Sequence, residues 1–275
     1  MKSNKRDCVV FRNVRRCQRR YDKHSRIPLL NDSYSSASES STVQNLSVAL
    51  SVVIATMACE YFFRHYVMYW FPTIGDLRVN DMISVLLVYS MLIFISGRAL
   101  RTQWKQELGG VGRSLQEILK TWDYVPWLVL IGLSSVLTLV DRILWGNARW
   151  MPWFTSSYQV STTWFVAQAP IIKAVALVCV NGLFVPVAEE FLWRGIVQVR
   201  LLRILPVPAA ICITAVLFSF KHVLVDDSFG RFLYVVAFGI ICGIVAQRKS
   251  WRASAAVHMF ANTVASMLAL AMGTV

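Results

Sequence analysis

The chain has 275 residues, of which 56% are hydrophobic and only 16% charged, and its mean hydropathy is +0.51. Soluble domains carry about 25% charged residues, so this composition excludes an ordinary soluble protein and indicates a chain embedded in a membrane. A net charge of +13 would indicate a nucleic-acid partner in a soluble protein. In a membrane protein such charge collects on one side of the bilayer, and we expect no nucleic-acid partner.

Residues 1–44 are basic and then Ser-rich, and they lack the apolar core of a secretory signal. This pattern predicts a cytoplasmic tail that contacts anionic lipid headgroups. Most of the 28 Lys and Arg residues lie in this tail or in loops predicted on the same side. The distribution therefore favours an N-terminus inside the cell.

Long apolar runs follow the tail, and most approach the roughly 20 residues that a helix needs to cross a bilayer. The predicted fold class is therefore all-α, a polytopic bundle of transmembrane helices with its N-terminus inside. We count about seven spans, and the short or charged runs allow six to eight. The runs are Leu46–Phe63, Met82–Gly97, Trp127–Val140, Ile171–Val187, Val207–Leu224, Phe232–Ala246 and Ala253–Met272.

The spans divide into two regions by their polar content. Residues 45–165 contain few polar groups within the runs and are predicted to be a transmembrane support region. Within it, Arg98–Lys120 predicts a cytoplasmic amphipathic helix that breaks at Gly109-Gly110. Residues 166–275 carry the polar groups that chemistry would need, so we assign the catalytic core to them.

Three polar signatures interrupt the apolar runs of this second region. Ionisable groups at membrane depth are costly, so they usually face the interior of a bundle and mark a functional site. Residues four apart on a helix share one face, so each signature brings its polar groups together. The signatures are Glu189-Glu190-x-x-x-Arg194, Phe218-x-x-x-His222 and His258-x-x-x-Asn262.

The two adjacent glutamates of the first signature have different roles, because neighbouring residues on a helix point about 100° apart. Glu190 precedes Arg194 by four residues, which is the favourable order for an ion pair within a helix. We predict this pair. It leaves Glu189 to face another helix as a candidate general base.

The second signature supplies a partner for Glu189. Pro206 and Pro208 predict a turn between the spans that carry Glu189 and His222. The two residues are equally far from this turn, so an antiparallel hairpin would place them at one depth. There they could hold and deprotonate one water molecule. Phe218, one turn before His222, would shield the site from solvent.

The third signature offers hydrogen-bond donors. The N–H groups of His258 and Asn262 could stabilise the oxyanion that forms when a carbonyl is attacked. The alternative is a metal site, because Glu189, His222 and His258 would make a catalytic zinc set of two histidines and one carboxylate. No HExxH motif is present, and we prefer a mechanism without a cofactor, with a divalent metal such as zinc as the open alternative.

The order and spacing of the three signatures resemble the motifs of the CPBP intramembrane proteases, also called the Abi or CAAX-processing protease family. The resemblance covers Pro170 to Met272. The matching stretches are Glu189-Glu190-Phe-Leu-Trp-Arg194-Gly195, Phe218-Ser-Phe-Lys-His222 and His258-Met-Phe-Ala-Asn262.

The resemblance implies that Glu189 and His222 activate a water molecule, that His258 and Asn262 form the oxyanion hole, and that the predicted ion pair accompanies them. It implies an intramembrane endopeptidase, of glutamic or metallo type. The partners would be membrane lipid and a membrane-associated or lipidated protein or peptide substrate. The topology suits a bacterial inner membrane or an endoplasmic reticulum, and we favour the former.

Two other functions are compatible with the same set of polar residues. One is a non-enzymatic immunity or scaffold protein, for which a broken motif would be typical, whereas all three motifs are intact. The other is a proton-coupled transporter with Glu189 and the histidines as a relay. Many transporters carry internal repeats, and this chain shows no convincing one.

Overall fold

The chain is almost entirely helical wherever it is described. The computed structural model describes residues 38–67, 73–74, 77–145, 174–175, 177–226 and 229–271. Within these ranges the exception to helix and turn is a short antiparallel pair, β1 (Thr73–Ile74) and β2 (Leu77–Arg78). The predicted all-α class is confirmed.

The described residues up to position 145 form five α-helices. Helix α1 begins at Ser38, within the predicted tail of residues 1–44; residues 1–37 lie outside the described part, and the tail stays a prediction. The boundary between 45–165 and 166–275 also lies outside the described part. The helices are α1 (Ser38–Phe62), α2 (Val79–Ala99), α3 (Trp104–Lys120), α4 (Val125–Ser134) and α5 (Leu137–Trp145).

The second half contains the helices that carry the three signatures. Helix α6 changes pitch along its length, and Pro186, which has no N–H to donate, lies at one of these changes. Its consecutive segments are Leu177–Phe184 (π), Val185–Glu190 (α), Phe191–Gln198 (π) and Val199–Leu201 (α). It is followed by α7 (Val207–Asp226), α8 (Phe232–Arg248) and α9 (Trp251–Ala271).

Three helical stretches of the described residues are long and apolar enough to cross a membrane: Thr42–Phe62, Trp122–Trp145 and Val207–Val225. There are four if Val85–Ala99 and Trp104–Lys120, which meet at a bend of 116°, count as one span. These stretches support an integral membrane protein. The count of about seven spans and the N-in orientation stay predictions.

Helix α3 is unbroken, so the predicted break at Gly109-Gly110 is wrong. Gly110 serves a close approach instead, because a Cβ at this position would overlap the side chain of Arg252. Arg252 binds Glu107 with two hydrogen bonds, Nε to Oε2 at 2.6 Å and Nη2 to Oε1 at 2.8 Å. This bidentate pair joins α3 to the start of α9.

Helix α8 packs closely on α6 and α7 through two glycines. A Cβ on Gly239 would lie 3.0 Å from the Cβ of Ala215 on α7. The carbonyl of Gly239 accepts a hydrogen bond from Arg194 Nη2 at 3.1 Å, and that of Gly243 accepts one from Gln198 Nε2 at 3.0 Å. Small residues thus let polar side chains of α6 reach the backbone of α8.

A buried carboxylate on α5 fixes the start of α8. Asp141 is fully buried, and its two oxygens accept hydrogen bonds from the backbone N–H groups of Leu233 at 2.9 Å and Tyr234 at 3.1 Å. These amides belong to the first turn, where N–H groups have no partner within the helix. Asp141 therefore caps α8 from a different helix.

The turn predicted from the prolines is confirmed. Helix α6 ends at Leu201 and α7 begins at Val207, so Pro206 lies in the connection between them. The resulting hairpin brings the first and second signatures alongside each other.

Candidate active site

Glu189 is buried on α6, and its Oε1 atom accepts hydrogen bonds from two other helices. Lys221 on α7 donates from Nζ at 2.6 Å, and Tyr89 on α2 donates from its hydroxyl at 2.9 Å. All three side chains are nearly inaccessible to solvent. The prediction that Glu189 faces away from its own helix is confirmed, but the group that it meets at Oε1 is Lys221, the residue before His222.

A second carboxylate, Glu60 on α1, completes this arrangement. Its Oε2 atom lies 3.1 Å from Lys221 Nζ and 3.0 Å from the hydroxyl of Tyr89. The four atoms Glu189 Oε1, Lys221 Nζ, Glu60 Oε2 and Tyr89 Oη thus form a closed circuit of polar contacts, which we call the polar ring. The hydroxyl of Tyr89 has one hydrogen and donates it to one of the two carboxylates at a time. Helices α1 and α2, which were predicted only to support the core, supply two members of the polar ring.

The predicted ion pair between Glu190 and Arg194 is confirmed. Arg194 Nη1 lies 2.9 Å from Glu190 Oε1, and both side chains are fully buried. Ser254 on α9 donates to the other oxygen, Glu190 Oε2, at 2.6 Å. A buried charge is stable only when it is paired and hydrogen-bonded. Glu190 and Arg194 satisfy this requirement for each other, so Arg194 does not neutralise Glu189.

His258 lies between the two glutamates. Its Nδ1 atom is 3.0 Å from Glu190 Oε1, and its Nε2 atom is 3.9 Å from Glu189 Oε2. The ring also packs edge-on against Phe238, with 4.7 Å between centroids. Because a carboxylate oxygen only accepts, Nδ1 carries a proton. The Nε2 atom that faces Glu189 is therefore an acceptor when the ring is neutral and a donor when the ring is doubly protonated.

Phe218 and His222 share one face of α7, as their spacing predicts. Their rings meet edge to face with centroids 4.9 Å apart. Phe218 is buried and packs on Trp193, and the guanidinium of Arg194 lies 4.6 Å from its ring centroid. His222 is partly buried. Phe218 thus connects the ion pair to His222, and the pairing of Glu189 with His222 stays a prediction.

Asn262 lies one turn beyond His258 on α9, and both are on the side of α9 that faces α6. Its Nδ2 atom donates to the backbone carbonyl of Asn181 at 3.1 Å. The Asn181 side chain donates in turn to Ser266 at 3.2 Å. An amide nitrogen carries two hydrogens, so Asn262 keeps a second N–H for a ligand.

The alternative of a divalent metal at Glu189, His222 and His258 stays a prediction. No group of three or more His, Cys, Asp or Glu side chains in the described ranges is arranged to hold a metal ion. Moreover, Glu189 Oε1 is bound by the ammonium of Lys221, whose positive charge would repel a divalent cation at that oxygen. We therefore derive no step through a metal.

The helices that carry the site also enclose an apolar cavity of about 630 Å³. It lies among α2, α3, α6 and α9, and its lining includes Met259 and Val187, which are close to His258 and Glu189 in sequence. Hydrophobic side chains dominate the wall, as in sites that take an apolar chain. Its lining includes Ser90, Phe94, Leu108, Leu183, Val187 and Met259.

Residues 171–264 match the family model of the Rce1-like type II CAAX prenyl endopeptidases. This part of the chain is similar to a CAAX-protease domain. This match confirms the resemblance of the three signatures to the CPBP family and points to a protease. No curated protein and no solved structure matches the chain. The matched residues 171–264 contain every residue of the three signatures, whereas Glu60 and Tyr89 of the polar ring precede them.

Sequence reasoning missed three members of the polar ring. Glu60 and Lys221 were detectable as charged residues inside apolar runs, which membrane proteins rarely tolerate without a role. Tyr89 gave no such signal, because a tyrosine is common in a transmembrane run.

Proposed function

We propose that this protein is an intramembrane endopeptidase that hydrolyses a peptide bond in a membrane-associated substrate through water activated by Glu189 and His222. The observation that carries the proposal is the buried meeting of Glu189, Glu190 and His258 among apolar helices, inside the part of the chain that is similar to a CAAX-protease domain. Burying such a set of ionisable groups among apolar helices costs free energy, so its presence usually marks a functional site.

The proposed reaction begins with a water molecule held between Glu189 and His222. Glu189 Oε2 takes a proton from the water while the water oxygen bonds to the carbonyl carbon of the substrate. The tetrahedral intermediate then collapses, the carbon–nitrogen bond breaks, and the proton on Glu189 passes to the leaving nitrogen. The products are a carboxylic acid and an amine, and Glu189 returns to its initial state.

The oxyanion of the intermediate is bound by His258 and the second N–H of Asn262 in this proposal. Since Nδ1 of His258 donates to Glu190, its Nε2 can donate only when the ring is an imidazolium. The carboxylates of Glu190 and Glu189 on either side would compensate that positive charge. His258 would then stabilise the oxyanion by charge as well as by a hydrogen bond.

The substrate proposed here is a membrane-associated or lipidated protein or peptide. The apolar cavity lined by Met259 supports this choice, because its hydrophobic wall can take an apolar part of the substrate. Membrane lipid is the other expected partner, and the bacterial inner membrane is the compartment that we favour.

The test is cleavage of endogenous membrane proteins by purified full-length protein in liposomes. Membrane extracts from cells with the native chain and with Glu189→Gln supply the candidate substrates, which are identified by new N-terminal or C-terminal peptides. We expect Glu189→Gln to lower kcat by about 10²- to 10⁴-fold. The matched control is Glu117→Gln on the exposed face of α3, which should cleave normally. Normal cleavage by Glu189→Gln overturns the mechanism.

The same liposomes test the two alternatives. A pH gradient that drives proton flux, without proteolysis, would identify a transporter. Stable capture of another membrane protein by both the native chain and Glu189→Gln, without cleavage, would identify an immunity or scaffold protein.

A further inference from the structure

We propose that Lys221 and Tyr89 are positioning residues that fix the catalytic carboxylate of Glu189, and that Glu60 anchors them from the first helix. This inference rests on the proposed function and adds residues to the same site. It assigns a role in the reaction to a lysine and to two helices that lie outside the three signatures.

The polar ring binds the Oε1 atom of Glu189, whereas the Oε2 atom is directed at the place of the proposed reaction. Two donors, Lys221 Nζ at 2.6 Å and Tyr89 Oη at 2.9 Å, converge on Oε1. Oε2 lies 3.9 Å from His258 Nε2, which is longer than a direct hydrogen bond. A carboxylate held by two donors at one oxygen cannot rotate freely, so Oε2 stays directed at the water and His258.

Glu60 holds the two donors in place. Its Oε2 atom contacts both Lys221 Nζ and Tyr89 Oη, at 3.1 and 3.0 Å. Lys221 is a flexible side chain with three donor hydrogens, and two carboxylates on either side restrict where its ammonium can lie. The rings of Tyr89 and Phe218 further confine it, with centroids 5.6 and 5.9 Å from Nζ.

Lys221 could instead serve only to bind α7 to the bundle, and kinetics separate the two roles. Replacing Lys221 by Met removes the positioning contact but also leaves Glu60 and Glu189 facing each other. The double variant Lys221→Met/Glu60→Gln removes one of these negative charges and should recover the thermal stability that the single variant loses. A positioning role predicts that kcat nevertheless stays about 100-fold low with an unchanged KM.

Tyr89→Phe provides a second test that does not depend on the stability of the lysine variants. It removes one hydroxyl, keeps the ring and changes no charge. We expect a normal melting temperature, an unchanged KM and a kcat lowered by about tenfold, because Oε1 loses one of its two donors. The matched control for the lysine variants is Lys249→Met, at the α8–α9 connection, which should cleave at the native rate.

The experiment is steady-state cleavage in liposomes with the full chain, and Glu189→Gln is measured beside the other variants. Loss of cleavage in Glu189→Gln, with lowered kcat in Tyr89→Phe and in the folded double variant, supports the positioning role. If Glu189→Gln is inactive while both of these variants cleave normally, the ring is structural and the positioning proposal is overturned alone. Native cleavage by Glu189→Gln instead overturns the proposed function itself.

Discussion

His258 Nδ1 lies 3.0 Å from Glu190 Oε1, the same oxygen that accepts a hydrogen bond from Arg194 at 2.9 Å. The Glu190–Arg194 pair therefore does more than balance its own charges. It determines which nitrogen of His258 carries a proton, and with it the character of the nitrogen that faces Glu189. The ion pair within α6 thus also orients the imidazole of His258 on α9.

Replacing Glu190 by Gln should destabilise the protein strongly, because the buried Arg194 would lose its charged partner. Breaking a buried pair in this way typically costs about 3 to 5 kcal/mol. Thermal unfolding in detergent measures the loss. The double variant Glu190→Gln/Arg194→Met should recover much of the stability but not the cleavage activity, since His258 is no longer oriented. A Glu190→Gln protein as stable as the native one would contradict this account.

Asn262→Ala should lower kcat by about 10²- to 10³-fold, the usual effect of removing one oxyanion donor, while KM changes little. The matched control is Asn181→Ala. It removes a neighbouring amide side chain but retains the backbone carbonyl to which Asn262 donates. Single-turnover cleavage separates the two variants, and equal rates in both would rule out the oxyanion role of Asn262.

Cleavage should persist after metal is removed. The ammonium of Lys221 at Glu189 Oε1 leaves no suitable place for a divalent cation at that oxygen. We expect the purified protein, dialysed against a strong chelator, to retain its rate, and metal analysis to find less than one equivalent of zinc. Activity that disappears with the chelator and returns with zinc would establish the metallo-endopeptidase alternative instead.

Asp141→Ala should destabilise the protein by about 0.5 to 2 kcal/mol, because two backbone N–H groups at the start of α8 lose their acceptor. Thermal unfolding provides the measurement. Asp123→Ala is the control, since the Asp123 side chain is 76% exposed and its Oδ2 atom lies 3.9 Å from Lys249 Nζ. An exposed pair at that distance adds little stability, so the control should unfold at the native temperature.

The sequence predicted the features that depend on spacing along one helix or one turn. Glu190 and Arg194 pair because residues four apart share a face, and the α6–α7 connection contains Pro206 because proline ends a helix. The depth of Glu189 relative to the second signature followed from counting. Such patterns are local, so they do not depend on how the rest of the chain packs.

The partners of Glu189 could not be predicted in the same way. Counting from the turn fixes how deep a residue lies, but the rotation of α7 decides which residue at that depth points at α6. Lys221 and His222 differ by about 100° in direction, and the structure directs Lys221 to Glu189. Glu60 and Tyr89 meet Glu189 only through the packing of α1 and α2 on α6, which no periodicity in the sequence encodes.

The polar ring also has an evolutionary consequence. Glu60 and Lys221 are 161 positions apart (221 − 60), yet neither is well accommodated among apolar helices if the other becomes hydrophobic. In homologous chains we expect positions 60 and 221 to change together, either keeping opposite charges or losing both. The three signatures, if transplanted onto the leading helices of another protein, would carry an unmatched lysine beside Glu189.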